Sequence, residues 1–286
     1  MGRVQDKVAI ITGGGSGFGE QASLLFAKEG AKVVCVDLRE DRASRVVSEI
    51  KADGGDAIAV IADVSKDEDW QRIVKNCIDT YGKLDILFNN AGILLTSDYH
   101  DIARTDMAVF DRTMEVNVKG VWLGIRNCAA ELVKTRGAIV NTASHAVCCG
   151  GWGSAAYDAS KYAVLGITRD AACELGVWGV RVNCISPYGS PTNIGGGGTD
   201  IPEDMIMFGK TGNPLFTDID PKEIAYTALF LSCGENKQIN GQNLFVDGGA
   251  SAFGEPFDIK SHAEDNMYEG GTLTWNFDYS AYKRFF

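Results

Sequence analysis

Residues 7–30, KVAIITGGGSGFGEQASLLFAKEG, decide the fold. Lys7 to Thr12 is a short β-branched run of the kind that settles in a buried strand. Gly13 to Gly19, GGGSGFG, is a turn, and EQASLLFAKEG after it has the apolar spacing of a helix closed by Gly30. Glycines let a backbone turn tightly and approach a pyrophosphate, and a helix N-terminus offers unpaired N–H donors with a partial positive charge. Gly13, Ser16, Gly17, Phe18 and Gly19 are therefore candidate dinucleotide-binding residues. A plain surface turn is the alternative; the flanking strand and helix favour cofactor binding.

The same alternation continues along the chain. KVVCVD ends at Asp37, about twenty residues beyond the glycine turn. A carboxylate there can accept hydrogen bonds from both adenosine ribose hydroxyls and repels a 2′-phosphate, which favours NAD over NADP. Arg39 could pair with such a phosphate, although among Asp37, Glu40 and Asp41 it reads more simply as a solvated ion-pair partner. A helical stretch leads to AIAVIADVS, a strand ending at Asp63 and Val64; helix capping is one reading of Asp63, and Ser65 competes for that role. LDILFNNAGI is a hydrophobic strand stopped by Asn89, Asn90, Ala91 and Gly92, residues that can knit neighbouring strands together and floor a cleft. Asp111 to Arg126 reads as one long helix with Asn117 in its middle, an unfavourable place for a side chain that competes for backbone hydrogen bonds.

GAIVNTAS, a buried strand, ends at Ser144, and thirteen residues later comes Tyr157 in YDASK. Residues four apart share a helix face, so Tyr157 and Lys161 present a phenol and an ammonium side by side. An ammonium favours phenolate and moves the tyrosine pKa, ordinarily about 10, toward working pH. The pair is a candidate acid/base unit, with the Ser144 hydroxyl beside it.

Ser144, Tyr157 and Lys161 in S-x12-Y-x3-K, the turn T-G-x3-G-x-G at Thr12, Gly13, Gly17 and Gly19, and the run NNAG together resemble the short-chain dehydrogenase/reductase family, closest to its plant secondary-alcohol branch. The resemblance spans roughly residues 4 to 250 and includes G-x4-V-D-G-G at Gly241, Val246, Asp247, Gly248 and Gly249. It implies a doubly wound parallel α/β sheet of Rossmann type and hydride transfer with NAD. It also implies that Asp63 and Val64 contact adenine, that Asn89, Ala91, Gly92, Pro187 and Thr192 line the cofactor cleft, and that Lys161 also binds ribose. Asn117, within N-V-x-G, would hold a relay water against Lys161; a buried structural asparagine is the competing account. PYGSPT departs from the family's P-G-x-V-x-T, with Tyr188 for glycine and Ser190 for an apolar residue.

The implied substrate is a hydrophobic cyclic secondary alcohol or its ketone, terpenoid, steroid-like or phenolic. His145, Val147, Cys148, Trp152 and Tyr188, with Met205 and Phe208 from a glycine-rich loop at about 190–215, would form an aromatic-lined pocket. That loop reads as a lid, or as a flexible connection. His145 could instead be a second polar anchor or a structural residue. A non-redox cyclase or isomerase that keeps NAD as a scaffold, or a binding protein on the same fold, are the other classes; the intact Ser-Tyr-Lys-Asn set argues against both.

Composition sets the remaining bounds. A length of 286 residues with 45% hydrophobic content suits a globular domain at 1–250 with an extension at 251–286. Nine of the chain's 27 aromatic residues lie in 253–286, so the extension is expected to pack, across a neighbouring subunit of a homotetramer or around its own domain. No run reaches the roughly 18 apolar residues of a membrane span, and the start lacks a signal-peptide core, giving the expectation of a soluble cytoplasmic protein. Eight scattered cysteines without a C-x-x-C pair and three histidines indicate neither disulfides nor a metal. The formal charge of -11 opposes attraction to nucleic acid or anionic membranes.

Overall fold

The structure is a computed structural model, and it describes residues 2–95, 102–148, 154–190, 192, 194, 213, 215, 217–252, 268–269 and 272–273. Seven strands form one parallel sheet: β1 (Val8–Thr12), β2 (Lys32–Asp37), β3 (Asp56–Ile61), β4 (Ile86–Asn89), β5 (Ala138–Thr142), β6 (Arg181–Pro187) and β7 (Asn243–Val246). Their order is β3-β2-β1-β4-β5-β6-β7. The chain winds outward from β1 in one direction and then, from β4, in the other, so the carboxyl ends of β1 and β4 flank a crevice. Ligands of open α/β sheets bind at such a switch point.

Strand period places alternate β1 side chains on opposite faces. Ala9 and Ile11 join a core with Phe26 of α1 (Gly17–Lys28), Val46 and Ile50 of α2 (Glu40–Ala52) and Ile224 and Leu229 of α7 (Pro221–Ser232). Val8 and Ile10 face Trp70 and Ile73 of α3 (Asp67–Tyr81), Leu123 and Leu132 of α5 (Gly120–Thr135) and Ala171 and Ala172 of α6 (Ala155–Gly176). Helices thus cover both faces, which is why the central strands β1 and β5 are buried along their whole length.

Two boundaries differ from the sequence reading. β3 stops at Ile61, so Asp63 and Val64 lie in the turn before α3. Neither Asp63 nor Ser65 caps that helix: Lys66 occupies the N-cap, and Asp63 Oδ1 instead accepts hydrogen bonds from the Ser65 backbone N–H (3.0 Å) and hydroxyl (2.7 Å). The expected long helix over 111–126 is three pieces: α4 (Met107–Met114), a π-helical turn at Glu115–Lys119, and α5. Of the extension, Ser251 and Ala252 in a 3₁₀ turn (Ala250–Ala252) and a short antiparallel pair, β8 (Tyr268–Glu269) and β9 (Thr272–Leu273), lie within the described residues. Among the described residues no helix is long and apolar enough to cross a membrane.

Candidate active site

The glycine turn closes on itself. Gly13 and Gly17 adopt positive φ (61° and 54°). A Cβ at Gly19 would collide with the Gly13 carbonyl, so the first turn of α1 can lie directly over the β1 end only with glycine there. Ser16 is the N-cap of α1, yet its side chain caps nothing and remains available to an anion at the helix N-terminus. Thr192 borders the same turn, with its methyl 3.4 Å from where a Gly17 Cβ would stand. Phe18 packs partly buried against the α1 side of the core.

Asp37, at the end of β2, lies under this turn. Its Oδ2 accepts from the Gly15 N–H (3.0 Å) and its Oδ1 from the Arg39 N–H (2.9 Å), and each oxygen retains acceptor capacity. Arg39 turns its guanidinium to Asp41 at 3.1 Å, both side chains being exposed. In the neighbouring turn after β3, Asp63 Oδ2 pairs with Arg112 of α4 at 3.3 Å. Asp63 is held below its ordinary carboxylate value: burial alone would raise it, and the Ser65 and Arg112 contacts outweigh that cost.

The NNAG run joins three strands. The Thr12 hydroxyl accepts from the backbone N–H groups of Asn90 (2.9 Å) and Ala91 (3.0 Å), while Asn90 Nδ2 donates to the Thr12 carbonyl (3.0 Å). Asn89 Nδ2 donates to Asn141 Oδ1 of β5 (3.0 Å), and Asn141 Nδ2 to Thr168 of α6 (2.9 Å). This buried chain of amides fixes α6 relative to the β4 end.

On α6, Lys161 is 2% exposed and donates from Nζ to the Thr142 carbonyl at 2.9 Å. That bond anchors the helix to the end of β5, two residues before Ser144. The same Nζ lies 5.5 Å from the centre of the Tyr157 ring. Burial pushes the Lys161 ammonium down to about 8, so the group still carries its charge at pH 7. Ser144 caps a single 3₁₀ turn, His145–Val147, its Oγ accepting from the Ala146 N–H at 3.2 Å. A Cβ added at Gly92 would stand 3.4 Å from both Lys161 Nζ and Asn117 Oδ1, so these three meet at one point.

Asn117 lies in the π-helical turn, where the widened backbone turns its amide inward. Its Oδ1 accepts from the Ile93 N–H (2.8 Å), and its Nδ2 donates to the Ile93 carbonyl (2.9 Å) and to Ser160 Oγ (3.0 Å). Ser160 donates in turn to the Tyr157 carbonyl at 2.6 Å. Ser160, Thr142 and Arg112 are the parts that sequence reasoning missed, whereas Asn90 ties β4 to β1 as the NNAG run suggested. Only Ser160 had a signal, its position one turn after Tyr157.

The expected substrate-pocket residues divide. His145 and Tyr188 are buried against one another, ring centres 4.7 Å apart and nearly perpendicular, with Asp247 3.9 Å from His145 Nε2. Both rings are packed into the interior at this end of the sheet, with Tyr188 7% and His145 6% exposed. Val147 is also buried, whereas Cys148 is exposed. Trp152, Met205 and Phe208, with most of the expected lid, fall outside the described residues. Both side chains of the PYGSPT departure have local partners: the Tyr188 ring packs on His145, and Ser190 Oγ donates to the Ile219 carbonyl (2.6 Å).

The glycine turn, the uncapped Ser16, the Asp37 carboxylate and the cleft floored by NNAG fit a dinucleotide. Among the described residues no three His, Cys, Asp or Glu side chains form a metal site. Comparison with known proteins agrees with this geometry. A family described as enoyl-(acyl carrier protein) reductase matches residues 13–251. Secoisolariciresinol dehydrogenase of Forsythia intermedia is 41% identical over 257 residues, covering 87% of this chain and 90% of that protein. Borneol dehydrogenase, mitochondrial, of Lavandula x intermedia is 38% identical, covering 87% and 92%. The crystal structure of 3-ketoacyl-(acyl-carrier-protein) reductase from Brucella melitensis complexed with NADH superposes with a TM-score of 0.79 at 35% identity, covering 87% of this chain and 99% of that one. With the fold, the crevice and these relatives in agreement, the chain belongs to the short-chain dehydrogenase/reductase family of oxidoreductases, on its plant alcohol-dehydrogenase branch.

Proposed function

We propose that this enzyme interconverts a hydrophobic cyclic secondary alcohol and its ketone with NAD, using Tyr157 as the proton-transferring group. The observation that carries the reading is the convergence of Lys161, Asn117 and Gly92 at one point beside Tyr157, in the crevice headed by the glycine turn. Bound nicotinamide would supply the two-electron acceptor or donor for the carbinol carbon. The chain's own groups handle the oxygen and its proton. Lys161, charged at pH 7 and 5.5 Å from the Tyr157 ring centre, favours the phenolate that accepts the alcohol proton. Ser144 hydrogen-bonds the substrate oxygen. Asn117, held by Ile93 and Ser160, anchors the proton path behind Lys161.

The glycine turn, Ser16 and Thr192 would hold the pyrophosphate, and Asp37 the adenosine ribose; its carboxylate is the ground for NAD rather than NADP. Asp63, Val64, Ala91 and Pro187 would complete the cleft around the adenine and nicotinamide ends. The plant relatives named for secoisolariciresinol and borneol support a bulky cyclic alcohol. Exposed Trp122 on α5 and Tyr162 on α6 support assembly into a homotetramer, which light scattering tests.

The test of the activity is spectrophotometric: NADH formation from NAD and, separately, NADPH formation from NADP, over a panel of terpenoid, steroid and phenolic cyclic alcohols. Turnover with NAD and at most weak turnover with NADP is expected. NAD binding without turnover of any panel member would overturn the substrate class, and preference for NADP would overturn the role of Asp37.

A further inference from the structure

Three titratable side chains lie together outside the Tyr157–Lys161 unit. Cys148 Sγ is 3.3 Å from His145 Nε2, and the same Nε2 is 3.9 Å from Asp247 Oδ2. The thiol is exposed while the imidazole and carboxylate behind it are buried. The assembly is rigid: Asp247 accepts from the Gly249 (2.9 Å) and Ser251 (2.8 Å) N–H groups, and the His145 ring is wedged against Tyr188 and Phe245.

We propose that Cys148 is a modification site for α,β-unsaturated ketones, with His145 as the base that takes its proton. Burial holds the His145 imidazole below its ordinary value against the opposing pull of Asp247, so the ring is neutral at pH 7 and, in the tautomer protonated on Nδ1, offers a lone pair at Nε2. The thiol proton passes to Nε2 as sulfur bonds to the β-carbon of the enone. The π electron pair moves to the α-carbon, which then takes the proton back from the imidazolium. The product is a thioether, and no oxidant or reductant is consumed.

The other thiols make poor competitors. Burial pushes Cys35 and Cys77 up to about 12 and Cys184 to about 11, and holds Cys128 well above its ordinary value. Cys233 is buried. Among the described residues this leaves Cys173, exposed on α6 with no histidine in contact, as an internal reference. Cys148 ends the 3₁₀ turn that Ser144 begins, four residues along the chain from that hydroxyl. That enones reach it rests on the proposed ketone chemistry; the reactivity of the thiol does not.

The full-length protein is treated with limiting N-ethylmaleimide and, in parallel, with 2-cyclohexen-1-one, and the adducts are located by tandem mass spectrometry that separates Cys148 from the adjacent Cys149. With both reagents Cys148 is expected to be alkylated about tenfold or more faster than Cys173, and His145→Gln to bring the two rates together. Cys148→Ser should abolish loss of activity on enone treatment. Equal rates in the unmodified sequence, labelling at Cys149 instead, or an advantage that survives His145→Gln in a variant with native circular dichroism would each overturn the site. Selective maleimide labelling without enone labelling would overturn the ligand class while leaving the dehydrogenase reading untouched.

Discussion

Replacing Lys161 with methionine should make the protein more stable and inactive. The ammonium is wholly buried, and its 10.5 ordinary pKa falls to about 8 in the fold. At about 1.36 kcal/mol for each pH unit, keeping that charge inside costs roughly 3 kcal/mol at pH 7. Methionine has nearly the same length and no charge, but it abandons the Thr142 carbonyl, which loses a hydrogen bond worth about 1–2 kcal/mol. The net gain at pH 7 is therefore about 1–2 kcal/mol. The pH dependence fixes the cause. Below pH 8 lysine is charged in both the folded and unfolded chain, and the full cost is present. Between pH 8 and 10.5 the unfolded chain binds the proton and the folded one does not, so native stability rises with pH. By pH 9.5 the unsubstituted protein should recover about 2 kcal/mol from this group, and the variant's advantage should vanish. Urea unfolding at pH 7 and 9.5, extrapolated to water, measures both. A variant less stable than the parent at pH 7, with a difference that does not change with pH, would refute the reasoning.

Two other substitutions probe the cofactor side and the frame. Asp37→Ser removes the carboxylate that lies under the glycine turn while leaving Arg39 nearby; kcat/KM should fall about tenfold with NAD and rise about tenfold with NADP, each change corresponding to about 1.4 kcal/mol. Unchanged selectivity in steady-state assays with both cofactors would remove Asp37 from the ribose site. Gly124→Ala places a methyl against Asn89 Oδ1 and 2.8 Å from the Trp70 ring. Although alanine favours a helix by about 1 kcal/mol, overpacking should win and lower stability by about 1–3 kcal/mol in urea unfolding, with loss of turnover if the Asn89–Asn141–Thr168 chain shifts.

Much of this architecture is legible in the residues because its strongest signals are local. The β-branched run before GGGSGFG, the glycines themselves and the amphipathic stretch after them specify a strand, a turn and a helix within one continuous segment. YDASK puts Tyr157 and Lys161 on one face through helical spacing alone. What sequence could not supply is non-local. That the Lys161 ammonium spends a hydrogen bond on the Thr142 carbonyl depends on how α6 docks on β5. The awkward Asn117 marked a helix irregularity, but its form, a π-helical turn facing Ile93 and Ser160, depends on the strand end beneath it. Arg112 reaching Asp63 joins residues 49 apart. For His145 the residues alone leave a pocket position, a polar anchor and a structural ring all open, because its burial against Tyr188 and Phe245 depends on the β6–β7 pairing.

The central claim is that Tyr157 transfers the proton in an NAD-linked alcohol oxidation. It is tested most directly by Tyr157→Phe, which keeps the ring beside Lys161 and removes only the hydroxyl. On an alcohol that the unsubstituted enzyme oxidises, NADH formation should fall at least about 100-fold, while the NAD dissociation constant, measured by calorimetry, stays within about threefold. Turnover retained in the phenylalanine variant would contradict the account.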